Sequence, residues 1–470
     1  MKSRSRQKSR RLQPDLQPTT METTVRRHRR IIMLPFPFQG HINPMLQLAN
    51  LLYSKGFSIT ILHTNFNAPR ISNYPHFTFK SILDNDPEKR RFELAEFSKD
   101  FIHNQDGGDA LRHELGLLVA SGLDENEPVS CLITDSYWHF AQTVADCLNL
   151  PRLVLRTMGL FCTSVYSSIP LLDARGYFTL DDSHLEEQVA EFPLLKVKDI
   201  KKIGIESGEV GYAVLIRHMV KQTKAASGVI WNSFKELEEP MLERISRDFP
   251  GPHFLIPFPK YYTASSSSLL EQDRTIFPWL DQQPAKSVVY VSFGSLSQVD
   301  EKQFLEIGHG LVNSKQRFLW VVRDGFVEDL TWFESLPVGF PGERGRVAQW
   351  APQQEVLAHE ATGAFWTHSG WNSTIESVCE GVPMICSAFR GDQPLDARYM
   401  SDVSGVAVYL ENGLQRDEIA RVIRRILVDE EGKEIRESAK LLKQKSDLSV
   451  MKGGSSDDSV ESLVDYISSL

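Results

Sequence analysis

No run of about 18 apolar residues occurs anywhere in the chain, so no segment reads as a helix that crosses a membrane. Cysteine is scarce: Cys131, Cys147, Cys162, Cys379 and Cys386 are the five in 470 residues, and no two stand in a C-x-x-C pair. An odd count without paired spacing fits neither a disulfide framework nor a zinc site and points to reduced thiols in the cytoplasm. No apolar segment follows the basic N terminus, so it does not read as a secretory leader. G-x-G-x-x-G is missing from the turns that open both halves, which removes the support for a nicotinamide oxidoreductase or a sugar-nucleotide epimerase. Basic residues are also few beyond the start. The first 30 residues hold ten Lys/Arg and two Asp/Glu, and the other 440 hold 42 basic and 59 acidic residues, a balance of −17. An acidic body excludes wholesale nucleic-acid binding, so any phosphate must be held locally.

What is present is a repeated alternation of apolar runs with amphipathic segments. IIML (31–34) is followed by PFPFQGH and a helical pattern, NPMLQLANLLYSKG, with Met45, Leu48, Leu51 and Leu52 on one face. SITILHT (58–64), SCLITD (130–135), RLVLRT (152–157), SGVIWNS (227–233) and HFLIPF (253–258) read as further strands. After the Ser-rich stretch YYTASSSSLLEQDR, which suits a mobile connection, the alternation restarts with SVVYVSF (287–293), RFLWVV, RVAQW, GAFWTH, PMICS and GVAVYL. The expected organisation is a basic tail (1–21) without fixed structure, a Rossmann-like domain (22–260), a linker (261–280), a second Rossmann-like domain (281–450) and a C-terminal helix (451–470) packing back on the first domain. The fold class is α/β, with two facing domains and a cleft between them. The tail reads as an upstream extension, with Met21 as an alternative start, or as a nuclear or plastid address. If it bound nucleic acid, deletion of residues 1–20 would abolish a salt-dependent affinity.

Ligands in such sheets sit at the carboxyl ends of strands. Gly40 and His41 occupy the first strand-to-helix turn. A neutral imidazole there can act as a general base, although a capping or buried histidine is the plainer explanation of an isolated His. Asp135 ends another strand and could orient that imidazole or cap a helix. Gly294 and Ser295 form a turn before a helix, suited to phosphate but common. The densest group of candidates runs from Trp350 to Gln393: WAPQQEVLAHEATGAFWTHSGWNSTIESVCEGVPMICSAFRGDQ. His368, Gly370, Asn372 and Ser373 surround a helix start that can hold a diphosphate, Glu376 can accept from ribose, Trp350 offers a plane to a base, and Asp392 and Gln393 suit sugar hydroxyls.

This 44-residue box resembles the signature of plant secondary-product glycosyltransferases, the plant branch of the UDP-glycosyltransferases. The likeness extends over about residues 22–470 and takes in FPFQGHINP, Asp135 and WLDQQP. It implies the GT-B fold and a UDP-glucose co-substrate used without a metal or other cofactor. It further implies that Trp350, with Ala351 beside it, stacks on uracil, that Gln353 and Glu376 bind ribose, and that Ser295, His368, Asn372 and Ser373 hold the diphosphate. Trp371, Asp392 and Gln393 would read the sugar, His41 would be the base and Asp135 its partner. The terminal Gln393 resembles the glucose-preferring form of the box. HTNFNAPRISNYPHFTF, LKVKDIK, SGVIWNSFKELEE, YTASSSSLL and MKGGSS resemble the diterpene-glycoside 3-O-glucosyltransferases that elaborate steviol glycosides. That branch carries Ser, Asn and His where Met158, Cys162 and Tyr166 stand here, in a helix that lines its acceptor pocket. Arg390-Gly391 is a further departure; Arg390 either perturbs the sugar site or points to solvent.

The expected reaction is inverting transfer of glucose to a hydroxyl of a small apolar acceptor, giving a β-glucoside. A flavonoid or hormone acceptor, or a binding protein without turnover, is the alternative. A monomer is expected. Asn372-Ser373-Thr374 matches a glycosylation sequon, but its place in the donor box argues against modification.

Overall fold

The computed structural model describes residues 29–64, 67–82, 106–124, 127–203, 210–263 and 267–470. The basic tail expected over 1–21 lies outside the described residues.

The first half of the chain builds one parallel sheet. Its strands are β1 (Arg30–Leu34), β2 (Ser58–His63), β3 (Thr78–Ser81), β4 (Val129–Asp135), β5 (Arg152–Arg156), β6 (Gly228–Trp231) and β7 (His253–Leu255), in the spatial order β3-β2-β1-β4-β5-β6-β7. Helix α1 (Gln39–Ser54) connects β1 to β2, and α2 (Leu160–Ser167) follows β5. The second half builds a parallel sheet of six strands: β8 (Val288–Ser292), β9 (Arg317–Val321), β10 (Gly345–Ala348), β11 (Thr362–Thr367), β12 (Met384–Cys386) and β13 (Ala407–Tyr409), in the order β10-β9-β8-β11-β12-β13. Helix α3 (Glu301–Ser314) follows β8, α4 (Trp371–Glu380) follows β11, α5 (Gln393–Asp402) follows β12, and α6 (Ser455–Ser469) ends the chain.

Helices on both faces force the central strands to be apolar on both sides, which is why they read as continuous runs. Ile31, Ile32, Met33 and Leu34 are fully buried, and β1 is flanked in register by β2 and β4, with Met33 opposite Ile61 and Ile133. In both sheets the order reverses beside the first strand of the half, β1 or β8, and the loops that leave the strand ends there open towards each other.

Three departures from the sequence reading have simple causes. α1 starts at Gln39 rather than Asn43, directly after the extended Phe38, so His41 lies inside its first turn. β3 was not foreseen, because Thr78-Phe79-Lys80-Ser81 carries one strongly apolar residue and lies at the sheet edge. A short antiparallel hairpin, Gln188–Val189 with Phe192–Lys196, was not foreseen either.

In the Ser-rich connector, Ala264, Ser265 and Ser266 lie outside the described residues. Ser267 and Ser268 are buried, not loose. Gln39 of α1 donates to the Ser267 carbonyl (3.1 Å) and accepts from the Leu269 N–H (2.6 Å), and Trp350 of the second half donates its indole N–H to Ser268 Oγ (3.0 Å). The connector's main chain bonds the first half, the Ser267 hydroxyl donates to Asn43 Oδ1 (2.6 Å), and the Ser268 hydroxyl takes the bond from the second half. Helix α6 is a second tie. Val460, Leu463, Val464 and Ile467 are buried in one cluster with Ile31, Ile230 and Phe254 of the first sheet. Each such side chain contributes ~1.5–3 kcal/mol of apolar burial. Ser459 Oγ accepts from the Leu255 N–H (2.9 Å), and the Tyr466 hydroxyl donates to the Ser227 carbonyl (2.7 Å).

Candidate functional site

His41 stands on the first turn of α1, where β1 delivers the chain to the cleft. Its Nδ1 lies 2.7 Å from Asp135 Oδ2, at the end of β4, and 3.1 Å from the Thr157 hydroxyl just beyond β5. Asp135 is fully buried, and its other oxygen accepts the Tyr137 N–H (2.9 Å). A carboxylate accepts and does not donate, so the hydrogen bond places the proton on Nδ1 and leaves Nε2 with its lone pair. Phe36 and Tyr137 hold the ring edge-on, with centroids 5.4 and 5.0 Å away. The His41 side chain keeps 20% of its surface, so the ring is fixed but reachable.

Across the cleft, Gly294 follows β8 with φ +74°, and a Cβ there would lie 2.6 Å from the His368 ring. Glycine is therefore required both for the backbone and for the approach of the loop to His368. Gly370 is similarly close, 2.5 Å from His368 Nε2 for an added Cβ. Burial, and then the Arg323 charge, pushes the His368 imidazole down to about 4. It is therefore neutral and acts as a hydrogen-bonding group, not as a cation. Arg323 comes from the loop after β9. Its guanidinium donates to the carbonyls of Gly294 (3.0 Å), Ser297 (2.5 Å) and Asp324 (2.9 Å) and so clamps the turn containing the half-buried Ser295.

Helix α4 opens at Trp371 beside this turn, with its first N–H groups directed at the cleft by helix geometry. Gln353 donates to Ser373 Oγ (2.9 Å) and Glu376 Oε2 (2.7 Å), and Gln354 donates to Glu376 Oε1 (3.1 Å). Burial raises the Glu376 carboxyl to about 7 against those two amide bonds. Trp350 is half-buried next to the buried Ala351. Gln393 Oε1 accepts the N–H groups of Phe389 (2.9 Å) and Arg390 (3.3 Å), which leaves its amide nitrogen for a ligand; Arg390 itself points to solvent. Burial raises the Asp392 carboxyl, against its own main-chain hydrogen bond and the positive charge of Arg156.

Two groups of expected site residues lie differently from the sequence reading. The Trp371 side chain does not face the cleft. It is buried, packs beneath Gly159 and donates its indole N–H to the Asn232 carbonyl (2.8 Å), because the two halves meet at this point and the large ring fills the gap. Only its main chain remains for a sugar. Met158, Cys162 and Tyr166 do not line an open pocket: they are 3%, 0% and 1% exposed within a shared apolar cluster. Apolar side chains at those helix positions close on one another where polar ones would have remained hydrated.

Several residues escaped the sequence reading. Asn232, after β6, donates to Asn372 Oδ1 (2.9 Å) and accepts the Phe258 N–H (3.2 Å), and Asn372 in turn donates to the Gly40 carbonyl. Thr157, Arg323 and Arg156 were missed too. The one clue available was their position just after, or at the end of, strands already identified.

The comparisons with known proteins follow the same outline. The profile described as UDP-glucoronosyl and UDP-glucosyl transferase matches residues 248–443. The chain is 65% identical over 457 residues to UDP-glycosyltransferase 76G1 of Stevia rebaudiana, covering 96% of this chain and 99% of that protein. It is 46% identical over 446 residues to UDP-glycosyltransferase 76C4 of Arabidopsis thaliana, covering 94% and 98%. The solved structure of UDP-glucose:anthocyanidin 3-O-glucosyltransferase in complex with UDP aligns with a TM-score of 0.80 at 26% identity, over 94% of this chain and 99% of that one. Phytolacca americana UGT2, complexed with UDP-2fluoro-glucose and pterostilbene, aligns with a TM-score of 0.78 at 28% identity, over 94% and 100%. Two parallel sheets facing across a cleft, with 65% identity along nearly the whole of a relative, place this chain in the UDP-glucoronosyl and UDP-glucosyl transferase family: it is a UDP-glycosyltransferase of the GT-B fold.

Proposed function

We propose that the chain transfers glucose from UDP-glucose to a hydroxyl of a small apolar acceptor, with inversion, and that His41 is the base. The observation that carries this reading is the 2.7 Å contact between His41 Nδ1 and the fully buried Asp135, which leaves a basic Nε2 at the cleft. Nε2 takes the acceptor hydroxyl proton as the oxygen bonds to C1 of glucose. The bond from C1 to the phosphate oxygen breaks, and UDP leaves with the electron pair. Asp135 stabilises the imidazolium formed in the same step.

The donor residues fit the leaving group. The first N–H groups of α4, with Ser295, Ser373 and the neutral His368, hydrogen-bond the diphosphate, and the Arg323 cation behind the Gly294 turn favours its developing charge. Trp350 stacks on uracil, and Gln353 and Glu376 exchange their mutual bond for ribose hydroxyls. Asp392 and Gln393 bind glucose hydroxyls, and Trp371 contributes its main chain. The Asn372 amide is engaged with Gly40 and Asn232, so its primary role is to hold the diphosphate helix against the base.

The acceptor class is a terpenoid such as a steviol glycoside, supported by the resemblance of this chain to the diterpene-glycoside branch and by 65% identity to the Stevia rebaudiana relative. A flavonol is the second class, because a relative 37% identical is named flavonol 3-O-glucosyltransferase. Both lobes of the site come from one chain, which supports a monomer, and the five unpaired cysteines suit the cytoplasm. Mass spectrometry of products from UDP-glucose with acceptors of both classes tests the reading. His41→Ala should form no glucoside yet still bind UDP, and turnover near that of the parent would overturn the assignment of the base.

A further inference from the structure

Strand β5 carries two fully buried guanidinium groups, Arg152 and Arg156, four residues apart and therefore on one face. Arg152 shows what a structural arginine requires. Its Nε donates to Thr134 Oγ1 (2.8 Å), and its Nη1 donates to Gln142 Oε1 (3.1 Å) and the Gln222 carbonyl (3.2 Å). Arg156 has no such set. Nη2 reaches Met158 Sδ (2.8 Å) and Thr163 Oγ1 (3.1 Å), while Nε and Nη1 are buried without a hydrogen-bond partner. Among the described residues it forms no ion pair. A buried cation with no carboxylate in contact and two donors unpaired is costly, and its persistence calls for a partner that arrives with the ligand.

Its position says which ligand. Arg156 directly precedes Thr157, whose hydroxyl is 3.1 Å from His41 Nδ1. Its charge reaches Asp135, the partner of His41, and Asp392. The guanidinium itself lies against α2, through Thr163, between the strand end that carries Thr157 and the segment that opens at Met158.

We infer that Arg156 anchors a carboxylate on the acceptor, so that this enzyme selects apolar hydroxy acids and glucosylates their hydroxyl. The inference rests on the transfer reaction proposed above and narrows its acceptor. Met158 is a placeholder: a thioether is a weak acceptor on a flexible stem, and a carboxylate displaces it from Nη2 and engages Nη1 as well, matching the planar fork of the guanidinium. Met158 has to swing aside for this, because it and Arg156 are both closed off from solvent. Three acids lie beyond Cys162, namely Glu238, Asp392 and Asp396. Burial raises all three, Glu238 to about 7, which weakens their repulsion of an incoming anion.

The test uses the full chain with UDP-glucose and matched pairs, each a hydroxy acid and its methyl ester, on diterpenoid, flavonoid and phenylpropanoid scaffolds. The parent should prefer the acid in the scaffold that it accepts. Arg156→Met should raise KM for the acid by roughly ten- to a hundredfold, with KM for UDP-glucose and kcat for the ester close to the parent's. Arg156→Lys should recover part of the loss. The melting temperature of Arg156→Met should not fall, since an unpaired buried cation is being removed. Equal loss for acid and ester, a parent that prefers the ester, or a base-labile glucose ester as product would overturn the anchor while leaving the transfer reaction intact. No glucoside from either member of any pair would instead overturn the proposed function.

Discussion

The side-chain amide of Asn372 donates to the main-chain carbonyl of Gly40, joining the start of the second half's α4 to the turn that carries His41. The sequence leaves this carbonyl free. In an α-helix it would accept from the N–H of the residue four positions on, but that residue is Pro44, which has none. A proline inside α1 thus leaves an acceptor at the cleft, and Asn372, itself held by Asn232, occupies it. Asn372→Ala would leave the Gly40 carbonyl and the Asn232 amide unpaired. Urea unfolding should show a loss of about 1–3 kcal/mol, and transfer should slow because the proposed base and the helix proposed to hold the diphosphate lose their common reference.

Asp135→Asn keeps the size of the side chain but cannot stabilise an imidazolium. The variant should retain the UDP affinity of the parent and lose transfer by roughly 10²–10⁴-fold. UDP titration calorimetry and product formation, measured on the same preparation, separate the two effects.

Gly294→Ala places a methyl group 2.6 Å from the His368 ring at a backbone angle of +74°. The Arg323 clamp limits how far the loop can move away. A thermal melt should show destabilisation of about 1–2 kcal/mol, and KM for UDP-glucose should rise more than KM for the acceptor.

Glu376 gives a pH signature. Its carboxyl is raised from 4.5 to about 7 by burial, so the folded chain holds a proton that the unfolded chain has released across that window. Its contribution to stability is therefore full below about 4.5, declines as pH rises to about 7, and is level above that. Glu376→Gln should flatten part of the decline in urea midpoint between these pH values; Glu238, raised to about 7, accounts for a further part. The same substitution should raise KM for UDP-glucose most at pH 8, where the parent carboxylate, proposed to accept from ribose, is most fully ionised.

Much of the site was legible because its chemistry is local. Gly294, His368 and Gly370 flank strand ends that apolar runs announce, and the equivalent places of His41 and Asp135 at the ends of β1 and β4 made their pairing an open alternative, which the 2.7 Å contact bears out. That the Trp371 side chain would be buried between the halves could not be read, because a tryptophan beside a helix start reads the same whether it faces a ligand or another domain. Met158, Cys162 and Tyr166 showed their apolar character but not that they would close on one another. The Ser-rich connector had the composition of a loose segment, and nothing local announced that Ser267 and Ser268 would be held by Gln39 and Trp350.

The sequence by itself determined the two strand-helix alternations and the family box, since both depend on periodicity and on residues close together along the chain. The tertiary structure alone decided how the halves are tied. Gly40 and Asn372 are 332 positions apart, Asn232 and Asn372 are 140 apart, and Ser459 reaches Leu255 across 204. It also decided that Arg156 is buried with two donors unpaired. Hydrogen bonds depend on distances of tenths of an ångström between groups that only the packing of whole sheets brings together, and no local pattern carries that information.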